Sequence, residues 1–143
     1  MKALAITGLA AALVAMLATA LLAVLAGAVG VDFEVPDGGE KIPVSGIAVV
    51  TGVFSLVGVV IALALVRWSA RPAVWFLRTA ITLTAISLVP PLLADADVTT
   101  TATLLGLHVL AAAVMIPALA SALTVRTARA GDQRAVPSRP RAS

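Results

Sequence analysis

Hydrophobic residues in this chain form four long, nearly uninterrupted stretches that are separated by short polar segments. The stretches cover about residues 3–29, 44–66, 73–93 and 98–125. A helix needs about 20 mostly apolar residues to cross a bilayer. Each stretch is long enough, so the pattern predicts an all-α, four-helix transmembrane bundle. The short connections predict that the helices run up, down, up and down.

The composition supports this interpretation and excludes several chemistries. Of the 143 residues, 61% are hydrophobic and 12% are charged, whereas soluble domains average about 45–50% and about 25%. The chain has no cysteine, which excludes thiol redox chemistry, a cysteine nucleophile and thiolate metal sites. The sequence also has no phosphate-binding loop, HExxH, GxSxG or dinucleotide motif. We therefore expect no cofactor and no metal.

The basic residues predict the orientation. Nine of the ten lie on the same side of the four stretches: Lys2, Arg67, Arg71, Arg78, Arg126, Arg129, Arg134, Arg139 and Arg141. Lys and Arg are enriched in cytoplasmic segments of membrane proteins. The sequence therefore predicts a multi-pass plasma-membrane protein with both termini in the cytoplasm.

The transmembrane domain is predicted to cover residues 1–126, and residues 127–143 form a basic tail. The tail is rich in Arg, Pro, Ser and Ala and has no apolar periodicity, which predicts disorder. We expect its arginines to contact anionic lipid headgroups. Nucleic-acid binding is not expected, because no aromatic residue lies among these arginines.

The first stretch has features of a secretory signal peptide as well as those of a membrane span. Lys2 precedes the apolar run, and Ala26, Gly27 and Ala28 resemble a cleavage site. The run is longer than the about 7–15 residues of a signal-peptide core, so we expect an uncleaved span. Cleavage would leave three spans.

His108 is the only ionisable residue in the fourth stretch. It lies about ten residues from the outer end of that stretch, which is about 15 Å deep in a helix and close to the bilayer midplane. Thr19, Ser55 and Thr84 fall at similar depths in the other stretches. We therefore predict a polar midplane layer in which His108 hydrogen-bonds to one of these hydroxyls. The histidine is either a structural contact or the candidate catalytic group, because ionisable residues are costly to bury in a membrane.

Acidic residues occupy the predicted outer side. Asp32, Glu34, Asp95 and Asp97 lie in the first and third connections. If the two loops meet, these carboxylates could hold a divalent cation or a cationic ligand. Their spacing matches no calcium loop, so no metal is assigned. Asp97 or one of the threonines that follow it is expected to cap the fourth helix.

Three short motifs carry a family resemblance. They are the sequence from Gly30 to Val35 after the first stretch, the arginine-rich second connection, and Leu107-His108-Val109. With these motifs the chain resembles a family of small, uncharacterised, four-span integral membrane proteins of actinobacteria. The resemblance implies a membrane location and a domain of unknown function, and it supplies no catalytic residues.

Three functional hypotheses follow, and the first is favoured. The protein is a small non-enzymatic accessory or interaction subunit, whose partners are the lipid bilayer and either another copy or another membrane protein. Alternatively, it is an enzyme that uses His108 on a lipid or isoprenoid substrate, or an oligomeric transport component. An enzyme requires a cavity beside His108, and a transporter requires a polar path across the membrane. The accessory hypothesis requires neither.

Overall fold

The computed structural model describes residues 1–35, 40–94 and 96–135. Its helices are α1 (Lys2–Ala28), α2 (Val44–Trp68), α3 (Pro72–Ser87), α4 (Val89–Leu93) and α5 (Val98–Ala135). The third apolar segment consists of α3 and α4 together. Within the described ranges, four helical segments are long and apolar enough to cross a membrane. The predicted four-helix fold is therefore confirmed.

The helices α1 and α5 make most of the contacts that hold the bundle together. The helix α1 packs mainly on α2 and α5, whereas α3 packs on α5 and α2. The start of α1 and the end of α5 line one groove, and the α2–α3 turn lies beside Thr127 of α5. These neighbours place the start of α1, the α2–α3 turn and the end of α5 at one end of the bundle, as the alternating topology requires.

Small residues allow α1 and α2 to approach closely. A Cβ atom at Gly8 would lie 2.6 Å from Val59 Cγ2 and 3.2 Å from Leu119 Cδ2. A Cβ atom at Gly52 would lie 2.8 Å from the sulfur of Met16. Helices in lipid associate by this kind of close packing, because lipid tails are as apolar as leucine.

The buried hydrophobic residues form two clusters, one toward each end of the bundle. The cluster at the end that contains the start of α1, here called the terminal core, consists of Leu4, Ala11, Ala12, Ala15, Val59, Ala62, Phe76, Met115, Leu119 and Leu123. The cluster at the opposite end, here called the hairpin core, consists of Ala23, Val31, Phe33, Ile47 and Leu107. Alanine supplies much of the terminal core, so the helices are held close together with little side-chain volume between them.

A short hairpin between α1 and α2 covers the hairpin core. Strands β1 (Glu34–Val35) and β2 (Glu40–Lys41) pair antiparallel, with Glu34 opposite Lys41. Phe33 has a positive φ of 51° yet is only 5% exposed, and the amide of Ile42 donates to its carbonyl at 3.0 Å. Such a conformation costs about 1–3 kcal/mol in a non-glycine residue, and burial of the phenyl ring offsets that cost. Two-residue strands are too short for an alternating sequence pattern, so the sequence did not predict them.

The third span, predicted over residues 73–93, is interrupted near its end, where Pro90 and Pro91 lie. The helix α3 ends at Ser87, and α4 begins at Val89. Pro90 and Pro91 lack amide hydrogens, and their rings clash with the carbonyl groups four residues earlier in a continuous helix. The chain therefore starts a new short helix, in which Pro90 occupies one of the first positions.

The last helix is longer than the sequence predicted. The helix α5 continues to Ala135, so the prediction of disorder is wrong for residues 127–135. This segment is rich in Arg and Ala, which favour helix, and Pro137 is the first proline after Pro117. Residues 136–143, including Arg139 and Arg141, lie outside the described residues.

Candidate functional site

His108 hydrogen-bonds to its own helix. The side chain is half-buried and follows Leu107 of the hairpin core in the chain, and its Nδ1 is 2.8 Å from the carbonyl oxygen of Leu104. A carbonyl only accepts, so Nδ1 donates the hydrogen in this bond. Across the described ranges, no hydroxyl hydrogen-bonds to this ring, and the predicted histidine–hydroxyl bond is therefore wrong. The backbone carbonyl one turn earlier on the same helix is always within reach of the ring. Two side chains at equal depth on different helices, in contrast, face each other only if both helices are rotated toward one another.

The polar contact between helices lies instead at Thr19. This residue is fully buried, its hydroxyl donates to the carbonyl of Ala15 at 2.9 Å, and its oxygen lies 3.3 Å from the Thr51 hydroxyl of α2. Sequence reasoning chose Ser55 by depth and missed Thr51, which lies one turn earlier on the same helix face. A four-residue spacing between two hydroxyl residues was the available signal.

Ser55 and Thr84 do not complete a bonded layer. Ser55 is buried in α2, while Thr84 is half-buried in α3, and the Thr84 carbonyl accepts a bond from the Ser87 hydroxyl at 2.7 Å. In the described part of the chain, no hydrogen bond joins either side chain to His108 or Thr19. The midplane layer thus stays a prediction about the depth of these side chains. Within the described residues, the polar contact between helices near this depth is that of Thr19 with Thr51.

The acidic residues have separate local roles. Asp32 pairs with Lys41 across the hairpin at 3.0 Å, with both side chains mostly exposed. The hydrogen bond and the negative charge of Asp32 raise the pKa of Lys41. Asp95 lies outside the described residues, and no group of three or more potential metal ligands occurs among those that are described. The described carboxylates therefore do not form the predicted outer cluster.

Asp97 caps α5, which confirms one of the two predicted capping choices. Its Oδ1 accepts hydrogen bonds from the amides of Thr99 at 2.8 Å and Thr100 at 3.0 Å. The nearby Thr100 hydroxyl and these amides lower the pKa of the Asp97 carboxyl. The Thr100 hydroxyl itself is buried and lies outside good hydrogen-bond geometry with any described residue.

Two surface grooves lie at the opposite end of the bundle from the hairpin. The larger, here called the terminal groove, has a volume of about 580 Å³ and is lined by Ala3, Leu4, Thr7, Ser121, Ala122, Val125, Arg126, Arg129 and Ala130. The smaller, of about 220 Å³, lies at the α2–α3 turn. Neither groove is lined by His108, which is about 20 Å from Ser121 along α5 at the helical rise.

The same end carries interfacial aromatic and basic side chains. Trp68 is 83% exposed and Trp75 is 51% exposed, and the Arg78 guanidinium lies over the Trp75 ring at 5.6 Å from its centroid. Tryptophan is enriched at membrane–water interfaces, and an arginine near a helix end can extend toward that surface.

Large apolar side chains cover the outside of the bundle. Exposed examples include Ile6, Leu9, Leu13, Leu17 and Leu21 on α1, and Val49, Val53, Phe54, Val57 and Val60 on α2. Soluble monomers rarely expose apolar patches larger than a few hundred Å². Together with four long apolar helices, this surface is that of a multi-pass membrane protein.

The chain belongs to a family of unknown function, DUF6069, which it matches over residues 1–125. This match covers all four spans and ends within α5. Comparison with curated proteins and with solved structures found no match.

Proposed function

We propose that this protein is a small non-enzymatic accessory or interaction subunit of the plasma membrane. The observation that carries the proposal is the contrast between His108, which is bonded to its own helix backbone and lines neither groove, and the extensive apolar surface of the bundle. A site for lipid chemistry would need room for a substrate at the histidine. The surface, in contrast, is suited to lipid and to neighbouring helices.

The partner surface is expected to lie within the membrane. Phe54 projects from the middle of α2 and is 69% exposed, and small residues such as Ala48 and Gly58 lie only half-buried on the same helix. Membrane helices associate where small residues permit close packing. A second copy of this chain or another membrane protein is therefore the proposed partner, together with the bilayer itself.

The charge distribution supports a cytoplasmic location for both termini. The described basic residues other than Lys41 lie at the end formed by the start of α1, the α2–α3 turn and the end of α5. Excess Lys and Arg marks the cytoplasmic side. The resemblance of the motifs, the preference for Arg over Lys and the abundance of alanine favour an actinobacterial source.

The decisive experiment measures the complex that the full chain forms in its native membrane. The tagged protein would be extracted with its surrounding lipid into polymer-bounded nanodiscs, and its mass and composition would be determined. We expect the 14.4 kDa chain in a complex of fixed stoichiometry, either with another membrane protein or with a second copy of itself that conducts no ions or solutes. The complex should survive the His108→Asn and His108→Ala substitutions, because His108 bonds only within α5 in the described structure.

Two results would overturn this proposal. If assembly is intact but a lipid-modifying activity of the membranes disappears with His108→Asn, the protein is an enzyme. If the chain is found only in multiples of itself and conducts ions or solutes in vesicles, it is a transport component.

A further inference from the structure

We propose that the terminal groove binds the phosphate headgroup of an anionic phospholipid, through Arg126 and Arg129. This inference rests on the membrane location of the bundle and not on its role as an accessory subunit. It assigns a lipid to one defined site, which differs from general attraction between a basic tail and a membrane surface.

The shape of the groove is suited to one lipid headgroup with the first part of its acyl chains. Its volume of about 580 Å³ lies within the range of about 300–1,000 Å³ typical of small-molecule sites. Alanines on both walls, Ala3 on α1 and Ala122 and Ala130 on α5, leave this space open. Val125 lines the groove and is 50% exposed, so it supplies an apolar wall along which an acyl chain can lie.

The charge of the groove is complementary to a phosphate. Arg126 is half-buried and Arg129 is exposed, and their three-residue spacing places them on one face of α5. Neither lies within 4 Å of a carboxylate of the described residues, although Asp132 follows Arg129 by three positions. Guanidinium groups bind phosphate oxygens with two parallel hydrogen bonds.

Two hydroxyls add polar contacts next to the arginines. Ser121 donates its hydrogen to the carbonyl of Ala118 at 3.1 Å, so its oxygen remains free to accept. Thr7 lines the opposite wall, and its hydroxyl forms no hydrogen bond with the residues that the structure describes. It can therefore donate to a phosphate oxygen or a glycerol oxygen in the groove.

The position of the groove distinguishes a lipid from a free phosphate. The arginines lie at and just beyond the predicted end of the fourth span, at headgroup level, while Ser121 and Ala122 line the groove about one helical turn deeper along α5. A soluble phosphate would use the arginines alone. A phospholipid would use the arginines and the apolar wall together, and anionic lipids are abundant in the cytoplasmic leaflet.

Native mass spectrometry of the full chain, titrated with phosphatidylglycerol or phosphatidylcholine, tests the proposal. We expect one phosphatidylglycerol to bind preferentially, and the double variant R126Q/R129Q to weaken this binding about tenfold or more. The matched control is R67Q/R78Q, which removes the same charge from the same end but outside the groove, and it should bind like the wild type. A second variant, Ala3→Phe, fills the groove at an exposed position without changing charge and should also weaken binding.

Thermal unfolding of each variant shows whether a loss of lipid binding is caused by a loss of folding. Equal loss in both double variants, or no loss in either, would show surface attraction only and would overturn the site. Binding of inorganic phosphate that is as tight as binding of phosphatidylglycerol would overturn the lipid assignment. Loss of binding in R126Q/R129Q and Ala3→Phe alone, with unchanged melting, supports it.

Discussion

Gly8 is the point where the packing of three helices leaves least room. The nearest atom to a Cβ at this position belongs to Val59, a buried β-branched side chain with few alternative rotamers. At Gly52 the nearest atoms belong to Met16, whose thioether chain is flexible. The two glycines therefore differ in how easily their neighbours can move, although both lie at tight contacts.

This difference predicts that alanine substitutions at the two glycines destabilise the bundle to different degrees. Gly8→Ala should destabilise the bundle by about 1–3 kcal/mol through overpacking, and Gly52→Ala should cost less because Met16 can move. Thermal unfolding in detergent micelles measures the order.

Gly106→Ala is the matched control for this series. A Cβ there would meet no atom within 4 Å, so this variant should melt at or slightly above the wild-type temperature, since alanine favours helix. Equal melting of Gly8→Ala and Gly106→Ala would contradict the packing described for α1.

For single residues, the depth in the membrane was easier to predict than the side chains that each residue contacts. Small residues four positions apart are typical of helix packing in membranes; Gly8 and Ala12 are both buried, yet a Cβ at Gly27, four residues after the buried Ala23, would meet only open space. The depth of His108 follows from counting residues, but its partner depends on the rotation of α5 about its axis. A single sequence carries little information on that rotation.

The helix termini depend on local chemistry that the sequence states clearly. Asp97 caps α5 with two amide bonds, and Pro72 begins α3. The predicted and observed starts of α5 coincide for this reason, and those of α3 differ by one residue. The end of α5 was mispredicted because polarity was taken as a sign of disorder, although a solvated helix of Arg and Ala is equally polar.

The cap at Asp97 predicts a pH dependence of stability. The pKa of this carboxyl in the folded protein is below its ordinary value of 3.8. Its stabilisation is therefore fully present above about pH 4 and is lost as the pH falls through the lowered pKa. Asp97→Asn keeps a capping oxygen but should flatten this acid limb of the melting temperature, measured from about pH 3 to pH 7.

Asp97→Ala serves as the comparison for this prediction. It removes the capping oxygen altogether, so it should lower the melting temperature at every pH and also flatten the acid limb. If Asp97→Asn retained the full wild-type slope, other carboxyls would be responsible for the acid sensitivity.

For the whole molecule, the medium explains both what could be predicted and what could not. Long apolar stretches must be helical in lipid, because no water satisfies their backbone groups, so the number of spans followed directly. The neighbours of each helix did not follow, because lipid-facing and buried residues are equally apolar. Only the structure therefore shows that α2 and α5 lie between α1 and α3, each of which packs on both of them.

The orientation of the bundle predicts the accessibility of single cysteines. The chain has no cysteine of its own, so Glu34→Cys in the hairpin and Ala70→Cys in the α2–α3 turn each add one reactive site at an exposed position. A membrane-impermeant maleimide should label Glu34→Cys in intact cells and Ala70→Cys only after permeabilisation. The reverse labelling would place the termini outside the cytoplasm.

The length of α5 has a mechanical consequence. Its 38 residues extend about 57 Å at the helical rise, while the hydrocarbon core is about 30 Å thick. The helix continues without a break past Pro117, so the part beyond the bilayer is a helical extension of the span and moves with it. A change in the tilt of this span would swing the far end sideways, and the motion of a neighbour within the bilayer would thus be transmitted to the aqueous phase.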